Sequence, residues 1–488
     1  MERLTDQFLS QRIYYPEKIL QFGTGVLLRG LIDYFVHQAN TQGIFQGSIV
    51  VVKSTPGSVD DFQQQNNLFT HLLKGIQDGE LKEETILNTS INRVLTAAED
   101  WAAILATAQS PDLEIIISNT TEVGIQYVEE AVLEGIPESF PAKLIAWLYK
   151  RYQHFAGDYA KGVVIIPTEL LVDNGDKLKE IVLRLADFHA LDPAFMQWIQ
   201  EANYFCNSLV DRIVPGTPKP EKLTALWEEL GYKDELLISS ELYALWAIQV
   251  NDFAQSKLSF ASAHPGVILD QNIADYRERK LRILNGTHTL TVCLAYLSGL
   301  HTVYEAMQDP TIAQFVADLA LSEICPVVPV SDPSTTEPFA REVLDRFRNP
   351  SIRHYLLDIT LQSTTKMRMR NVPNILRYFE KFGQVPERMA QGMAAYLLFE
   401  KSVKVENNHY FGQRGTEFYV IRDDFASYFY EKWQSLQVFS PENIQSWVGD
   451  ILANVQLWGE NLSQLPGFGE RIGYYLHQFI HQGIPKNL

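Results

Sequence analysis

Three side chains between Tyr276 and Leu290 have the types needed to move a proton to or from a carbonyl oxygen. The segment reads Tyr-Arg-Glu-Arg-Lys-Leu-Arg-Ile-Leu-Asn-Gly-Thr-His-Thr-Leu, with Lys280, Asn285 and His288 at i, i+5 and i+8. On a regular helix these directions fall within about 140° of arc, which lets them converge on one pocket. Hydride reduction of a carbonyl builds negative charge on its oxygen. A lysine gives that oxygen a proton and takes it back in the reverse direction, once burial or a neighbouring cation brings its pKa into range. An asparagine amide stabilises the oxyanion without titrating. A histidine orients the substrate hydroxyl, and no metal is required. Each residue also has a plain structural reading: a solvated basic helix start, a helix bend, a core histidine. Gly286 costs about 1 kcal/mol in a helix interior relative to alanine, so a close approach is expected there.

A second constellation lies near the N-terminus. The apolar run Lys18–Phe22 ends in Gly23-Thr24-Gly25. Val26, Leu27, Leu31, Ile32, Phe35, Val36 and Ala39 then recur at helical spacing until Gly43, and Ser48–Val52 reads as a buried strand. A G-x-G that closes a strand and opens a helix is placed as a dinucleotide fingerprint demands. The first glycine permits the turn, and the second lets backbone approach a pyrophosphate at the helix N-terminus. The third glycine of the motif is replaced by Leu28, although Gly30 lies nearby. Phe22 and Thr24 flank the turn, and Arg29 adds a charge near the phosphates. The same pattern also serves an ordinary strand–helix turn. At the end of the second strand, where an acid would hold ribose hydroxyls, stands Lys53. A lysine there tilts toward NADP(H), or lines the adenine edge.

These groups need elements to hold them. At 488 residues the chain exceeds one core, and two domains are expected. Runs at 115–119 and 163–167 read as central strands, with helical stretches near 98–109, 140–155 and 176–189. The strands end in Asn119-Thr120-Thr121-Glu122 and Thr168-Glu169, where ligands of such folds bind. Residues 1–276 are therefore expected to form an α/β, Rossmann-type, doubly wound domain. From 277 to 488 helical spacing dominates, near 278–300, 310–325, 388–401, 420–433 and 461–484, and an all-α domain is expected. Two stretches read as irregular: Pro329 to Pro338, and Lys404 to Gly415 with its Asn407-Asn408-His409 cluster.

Composition excludes several function classes. A net charge of −18 repels nucleic acid and anionic membrane, and an anionic substrate needs a local basic pocket. Cys206, Cys293 and Cys325 form neither a disulfide framework nor a zinc-site spacing, and read as reduced, mostly buried thiols. The N-terminus lacks an apolar signal core, and no apolar run approaches the roughly 18 residues a membrane span needs. The cytoplasm is the expected location. Nothing in the sequence points to an oligomeric state.

Lys280 to His288 resembles the catalytic signature of the polyol-specific long-chain dehydrogenases, the mannitol dehydrogenase family. The resemblance implies that Lys280 is the acid–base group, that Asn285 belongs to an oxyanion-stabilising pair, and that His288 positions substrate. Asn207-Ser-Leu-Val-Asp-Arg-Ile-Val-Pro215 resembles a second family segment. It places Asn207 as the other oxyanion asparagine and Asp211 beside the substrate. Gln21 to Arg29 is similar to the family's nucleotide turn, which also lacks the third glycine. The likeness runs from about residue 18 to 484. Ser118 to Glu122, Phe205 to Gly216, Glu278-Arg279-Lys280 and Arg346 to Pro350 are most similar to family members that reduce keto-uronates to aldonates. This implies a small-molecule substrate carrying a carboxylate, NAD(H) in place of the NADP(H) tilt of Lys53, and an active site between a Rossmann-type and a helical domain.

A carboxylate needs a cationic clamp, and Thr364-Thr-Lys-Met-Arg-Met-Arg370 offers Lys366, Arg368 and Arg370. The same run also reads as a solvated basic helix end. His354 and the Asn408-His409 pair are further pocket candidates. Relatives acting on an isomeric keto-acid or a neutral polyol would share the fold and the Lys-Asn-His trio. A dinucleotide-binding sensor without turnover would need none of the three.

Overall fold

The computed structural model describes residues 1–77, 79–120 and 124–485. The chain divides into two compact units, Met1–Gly75 with Leu81–Ile273, and Ile76–Glu80 with Ala274–Leu488.

The first unit is built on six parallel strands: β1 (Glu17–Phe22), β2 (Ser48–Lys53), β3 (Ile91–Thr96), β4 (Ile115–Ser118), β5 (Val164–Pro167) and β6 (Tyr204–Phe205). Their order is β3-β2-β1-β4-β5-β6, that of a dinucleotide-binding sheet whose direction of winding reverses beside β1. The near-continuous apolar runs follow from burial on both faces. Ile19, Ile49, Val51, Ile115, Ile117 and Ile166 point into one core with Leu31, Ile32 and Phe35 of the first helix, Val26–Thr41. Their neighbours Leu20, Val50, Val52, Ile116 and Ile165 point into the other, beneath the helices Phe140–His154 and Asn174–Phe188. Thr121 and Glu122, expected at the end of β4, lie outside the described residues.

The second unit is helix-rich. Ala274–Arg279, Lys280–Asn285 and Gly286–Leu297 follow one another without a break, the middle piece wound as a π-helix. Among the described residues two more π segments occur, Leu319–Ile324 and Met367–Asn371. The helix Glu387–Phe399 packs closely on Gly286–Leu297: a Cβ on Gly392 would stand 2.6 Å from the Leu290 carbonyl oxygen. Glu323 caps its start, accepting from the Arg388 and Met389 N–H groups at 2.7 and 2.9 Å.

One expectation for this unit is corrected. Residues 404–415 are not irregular. Ser402–Glu406, His409–Arg414 and Glu417–Ile421 form an antiparallel three-stranded sheet, so the helix expected from 420 begins at Ala426. Asn407 and Asn408 both have positive φ, 50° and 62°, as a two-residue type I′ hairpin requires. Among the described residues no helix is long and apolar enough to cross a membrane. All three cysteines are free and buried.

Candidate active site

The chain leaves β1 through Gly23, whose φ is 131° and whose N–H donates to the Val52 carbonyl at 2.9 Å. A Cβ there would lie 2.8 Å from Leu28 Cδ1 and 2.9 Å from the Asn119 carbonyl oxygen. Only glycine closes this turn. Gly25 is different: its φ is an ordinary −63°, and a Cβ would meet nothing within 4 Å. No side chain caps the helix it precedes, so the first-turn N–H groups and the positive helix end face open space. A helix start of this kind can receive an anion such as a pyrophosphate. Gly30 provides the close packing of the missing third glycine. A Cβ on it would stand 2.9 Å from both Val214 methyls, and its carbonyl accepts from Arg212 Nη1 at 2.7 Å.

Side chains stitch the neighbouring strand ends together. Asn119 Nδ2 donates to Thr168 Oγ1 at 3.0 Å, and Glu169 accepts from the Thr120 N–H at 2.9 Å and from Ser118 Oγ at 3.1 Å. Burial raises the Glu169 pKa, against the pull of these hydrogen bonds. Asn119 thus braces the floor of the glycine turn with its own carbonyl. Lys53 sits at the end of β2 with Nζ 3.5 Å from Thr55 Oγ1, and Thr24 is partly exposed in the turn.

Three expected contacts are redirected. Arg29 is buried, donates to the Leu236 carbonyl and lies over the Phe62 and Phe69 rings, so its charge serves the interior and not phosphates. The Phe22 ring packs on Phe140 in the core, which leaves only its backbone at the turn. Asn207 Oδ1 accepts from the Gly175 and Asp176 N–H groups at 3.0 and 3.1 Å. Its Nδ2 donates to Asp176 Oδ2 at 2.8 Å and Gln249 Oε1 at 3.1 Å. Both amide hydrogens are committed, so Asn207 caps a helix and has none left for an oxyanion. Asp211 is buried at the end of Ser208–Asp211, paired with Leu245.

In the second unit the π-helix changes the spacing read from sequence. Its i→i+5 hydrogen bonds stack residues five apart, so Asn285 stands one turn above Lys280 and no longer across the helix from it. Among the described residues the Asn285 side-chain amide makes no hydrogen bond, in contrast to that of Asn207. His288 follows one turn later, 8% exposed, with its ring 4.1 Å from Phe347 and 5.3 Å from His354. Burial, then His354, Arg346, Arg370 and Lys366, hold its pKa well below the ordinary value, so the ring is neutral. His354 is pulled down likewise, by burial first.

Lys366 and Arg370, four residues apart on one helical stretch, are near enough to add to the lowering at His288. Burial, with help from Arg370 and Arg422, pulls Lys366 down to about 8, and its Nζ donates to the Ile359 carbonyl at 2.9 Å. Arg370 is pulled down to about 10 by burial alone. Its one hydrogen bond among the described residues goes to the neutral Thr289 hydroxyl at 3.1 Å, and no carboxylate pairs with it. Arg368, between Lys366 and Arg370 in the sequence, points the other way. It is exposed and reaches the Gln456 carbonyl at 3.4 Å, which removes it from the clamp. Asn408 and His409 belong to the hairpin, where His409 Nδ1 meets the Asn407 carbonyl at 2.9 Å, and neither is among the groups around His288. Among the described residues no three His, Cys, Asp or Glu side chains gather as a metal site.

This geometry can be set beside known proteins. The model of the mannitol dehydrogenase Rossmann domain matches residues 17–262, and that of the mannitol dehydrogenase C-terminal domain matches residues 272–480. The chain belongs to the mannitol dehydrogenase family. Among curated members of the family, the altronate oxidoreductase of Bacillus subtilis (strain 168) is 38% identical over 100% of this chain and 98% of its own length. Those of Halalkalibacterium halodurans and Shigella flexneri are 36% and 37% identical, covering 99% and 96% of this chain and 96% of each relative. Two solved structures share the fold. A D-sorbitol dehydrogenase in substrate-free form has a TM-score of 0.79 at 21% identity, over 96% of this chain and 94% of its own. A Pseudomonas fluorescens mannitol 2-dehydrogenase, in ternary complex with NAD and D-mannitol, has 0.66 at 22%, over 99% and 98%. In this mannitol dehydrogenase family member, sequence reasoning missed Arg282 and Asn371. Their signal is the close approach at Gly286, where a Cβ would lie 2.9 Å from Asn371 Oδ1.

Proposed function

We propose that the protein is an NAD(H)-dependent dehydrogenase that interconverts D-tagaturonate and D-altronate, with Lys280 as its acid–base group. The altronate oxidoreductases similar to it over their full length support the reaction. The observation that carries the substrate class is Arg370: a desolvated guanidinium without a carboxylate partner, beside neutral His288 and next to Lys366. A partly desolvated cation with few hydrogen-bond acceptors is costly until an anion answers it. A uronate carboxylate supplies one, and a neutral polyol does not.

The Gly23–Gly25 turn would hold NADH, which would supply the hydride when bound. Lys280 gives its proton to the substrate oxygen during reduction and takes it back during oxidation. Asn285 donates to that oxygen from an amide with no competing partner. His288, with His354 against its ring, orients a neighbouring hydroxyl. Arg370 and Lys366 hold the carboxylate. Three reduced, buried thiols fit a cytoplasmic setting.

The test is NADH oxidation with D-tagaturonate, D-fructuronate and D-fructose in parallel, repeated with NADPH. Strong preference for D-tagaturonate with NADH is expected. Preference for D-fructuronate or D-fructose would move the activity to fructuronate reductase or mannitol 2-dehydrogenase. NADPH preference would return the 2′-phosphate to Lys53, and no turnover at all would favour a sensor.

Lys366 gives a pH signature. Below about pH 8 its ammonium attracts the carboxylate, and it loses that charge as pH rises through about 8. KM for the anionic substrate is therefore expected to climb above pH 8, while Lys366→Met flattens the climb. The stability sign is opposite. The folded lysine releases its proton before an unfolded one near 10.4, so the substrate-free enzyme gains stability between the two values. An identical KM rise in both enzymes would take Lys366 out of carboxylate binding.

A further inference from the structure

The two π segments that carry the candidate residues are bonded to each other. Arg282, within Lys280–Asn285, donates through Nη1 to the carbonyls of Met369 and Arg370 at 2.6 and 3.1 Å, while its Nε holds Glu278 at 2.9 Å. In return Asn371, the last residue of Met367–Asn371, donates through Nδ2 to the Gly286 carbonyl at 3.2 Å. Both sets of acceptors lie where a π turn gives way to α-helix and the regular ladder is disturbed. Among the described residues Asn371 Oδ1 has no hydrogen-bond partner, so this single bond fixes its amide. Gly286 makes the bond possible by leaving room: a Cβ would stand 2.9 Å from Asn371 Oδ1. The backbone of Gly286, φ −64° and ψ −47°, is ordinary helix, so the glycine is not there for its torsions.

We propose that Arg282 and Asn371 are positioning residues which lock the π-turn bearing Lys280 and Asn285 to the π-turn bearing Arg370. The lock holds the proton-transfer end of the substrate and its carboxylate end at one separation. It rests on the proposed roles of Lys280 and Arg370, and neither locking residue touches substrate.

Gly286→Ala is the cleanest test. Alanine suits this helical backbone better than glycine, which offsets much of the cost of displacing the buried Asn371 amide, so the variant is expected to fold with a melting temperature near wild type. Its turnover of D-tagaturonate, or of whichever panel substrate the wild type reduces, is expected to fall about tenfold as the amide of Asn371 is displaced. In an Asn371→Ala background the same substitution has nothing to displace, and no further loss is expected. Arg282→Met should lower kcat and raise KM together with NADH affinity unchanged, and Arg282→Lys, which keeps a donor for the two carbonyls, should restore part of the loss. Hydrogen exchange reads the lock without turnover: Arg282→Met is expected to speed exchange in both 280–286 and 366–372. Faster exchange confined to 280–286, equal losses from Gly286→Ala in both backgrounds, or a change in melting temperature with kcat and KM intact would each overturn the proposal. A wild type that ignores D-tagaturonate but reduces another panel substrate would sink the substrate assignment alone. A wild type that reduces none leaves exchange to decide the lock.

Discussion

Lys280→Ala is expected to lower kcat by about 10³-fold in either direction, the middle of the range for losing a positioned general acid–base group. NADH affinity, measured by fluorescence titration, should stay near wild type, because the cradle at Gly23–Gly25 belongs to the other compact unit. The fold should also survive. Lys280 is half-buried on a helical stretch, and alanine is the best helix former. Lys280→Met serves as a control that keeps the apolar stem and removes only the ammonium. If Met and Ala variants lose the same factor, the loss belongs to the proton and not to packing. Near-normal turnover across the pH range would take the acid–base role away from Lys280 and leave Asn285 and His288 without a proton donor.

Much of the first unit was legible because its physics is local. β2, β4 and β5 are largely β-branched runs and β1 carries the apolar Ile19, Leu20 and Phe22, and such runs arise where a parallel sheet is covered on both faces. The Gly23 turn was legible for the same reason: its positive φ and the close approach of Asn119 admit one residue type. The hairpin at 402–414 is less legible, although Asn407-Asn408 between alternating residues is a type I′ signal. Its polar tip, Asn407-Asn408-His409, has the composition of a loop and masks the short strands on either side.

The candidate site was legible in residue type more than in geometry. A regular helix spreads Lys280 and Asn285 over about 140° of arc, and the π turn, which no spacing rule announces, brings them closer to one line. Arg29, Arg368 and Asn207 show the opposite failure. Each has the right chemistry, and each is spent elsewhere by partners far away in sequence: Leu236, Gln456, and the pair Asp176 and Gln249. A sequence shows which groups can donate, but tertiary partners decide which donors remain free. Asn285 and Arg370 stand out only after that subtraction.

Arg370→Met should lower kcat/KM for D-tagaturonate by about 10²–10³-fold, since a bidentate pair with a carboxylate carries two charge-assisted hydrogen bonds of about 1.5–3 kcal/mol each. Activity on a neutral ketose, however small, should not fall with it, because such a substrate offers the guanidinium no anion. Arg370→Lys should recover little, as a point charge cannot reproduce the planar fork. Stability should move the other way. In the substrate-free enzyme the half-buried Arg370 charge is answered, among the described residues, by the Thr289 hydroxyl alone, and removing a partly desolvated charge that lacks a carboxylate partner relieves the fold. A melting temperature at or above wild type is therefore expected for Arg370→Met without substrate, and D-altronate should stabilise the wild type but not the variant. Opposite signs for stability and specificity mark a residue kept for its ligand. Equal losses on charged and neutral substrates, or a lowered melting temperature, would show that Arg370 supports the fold and that the carboxylate is held elsewhere.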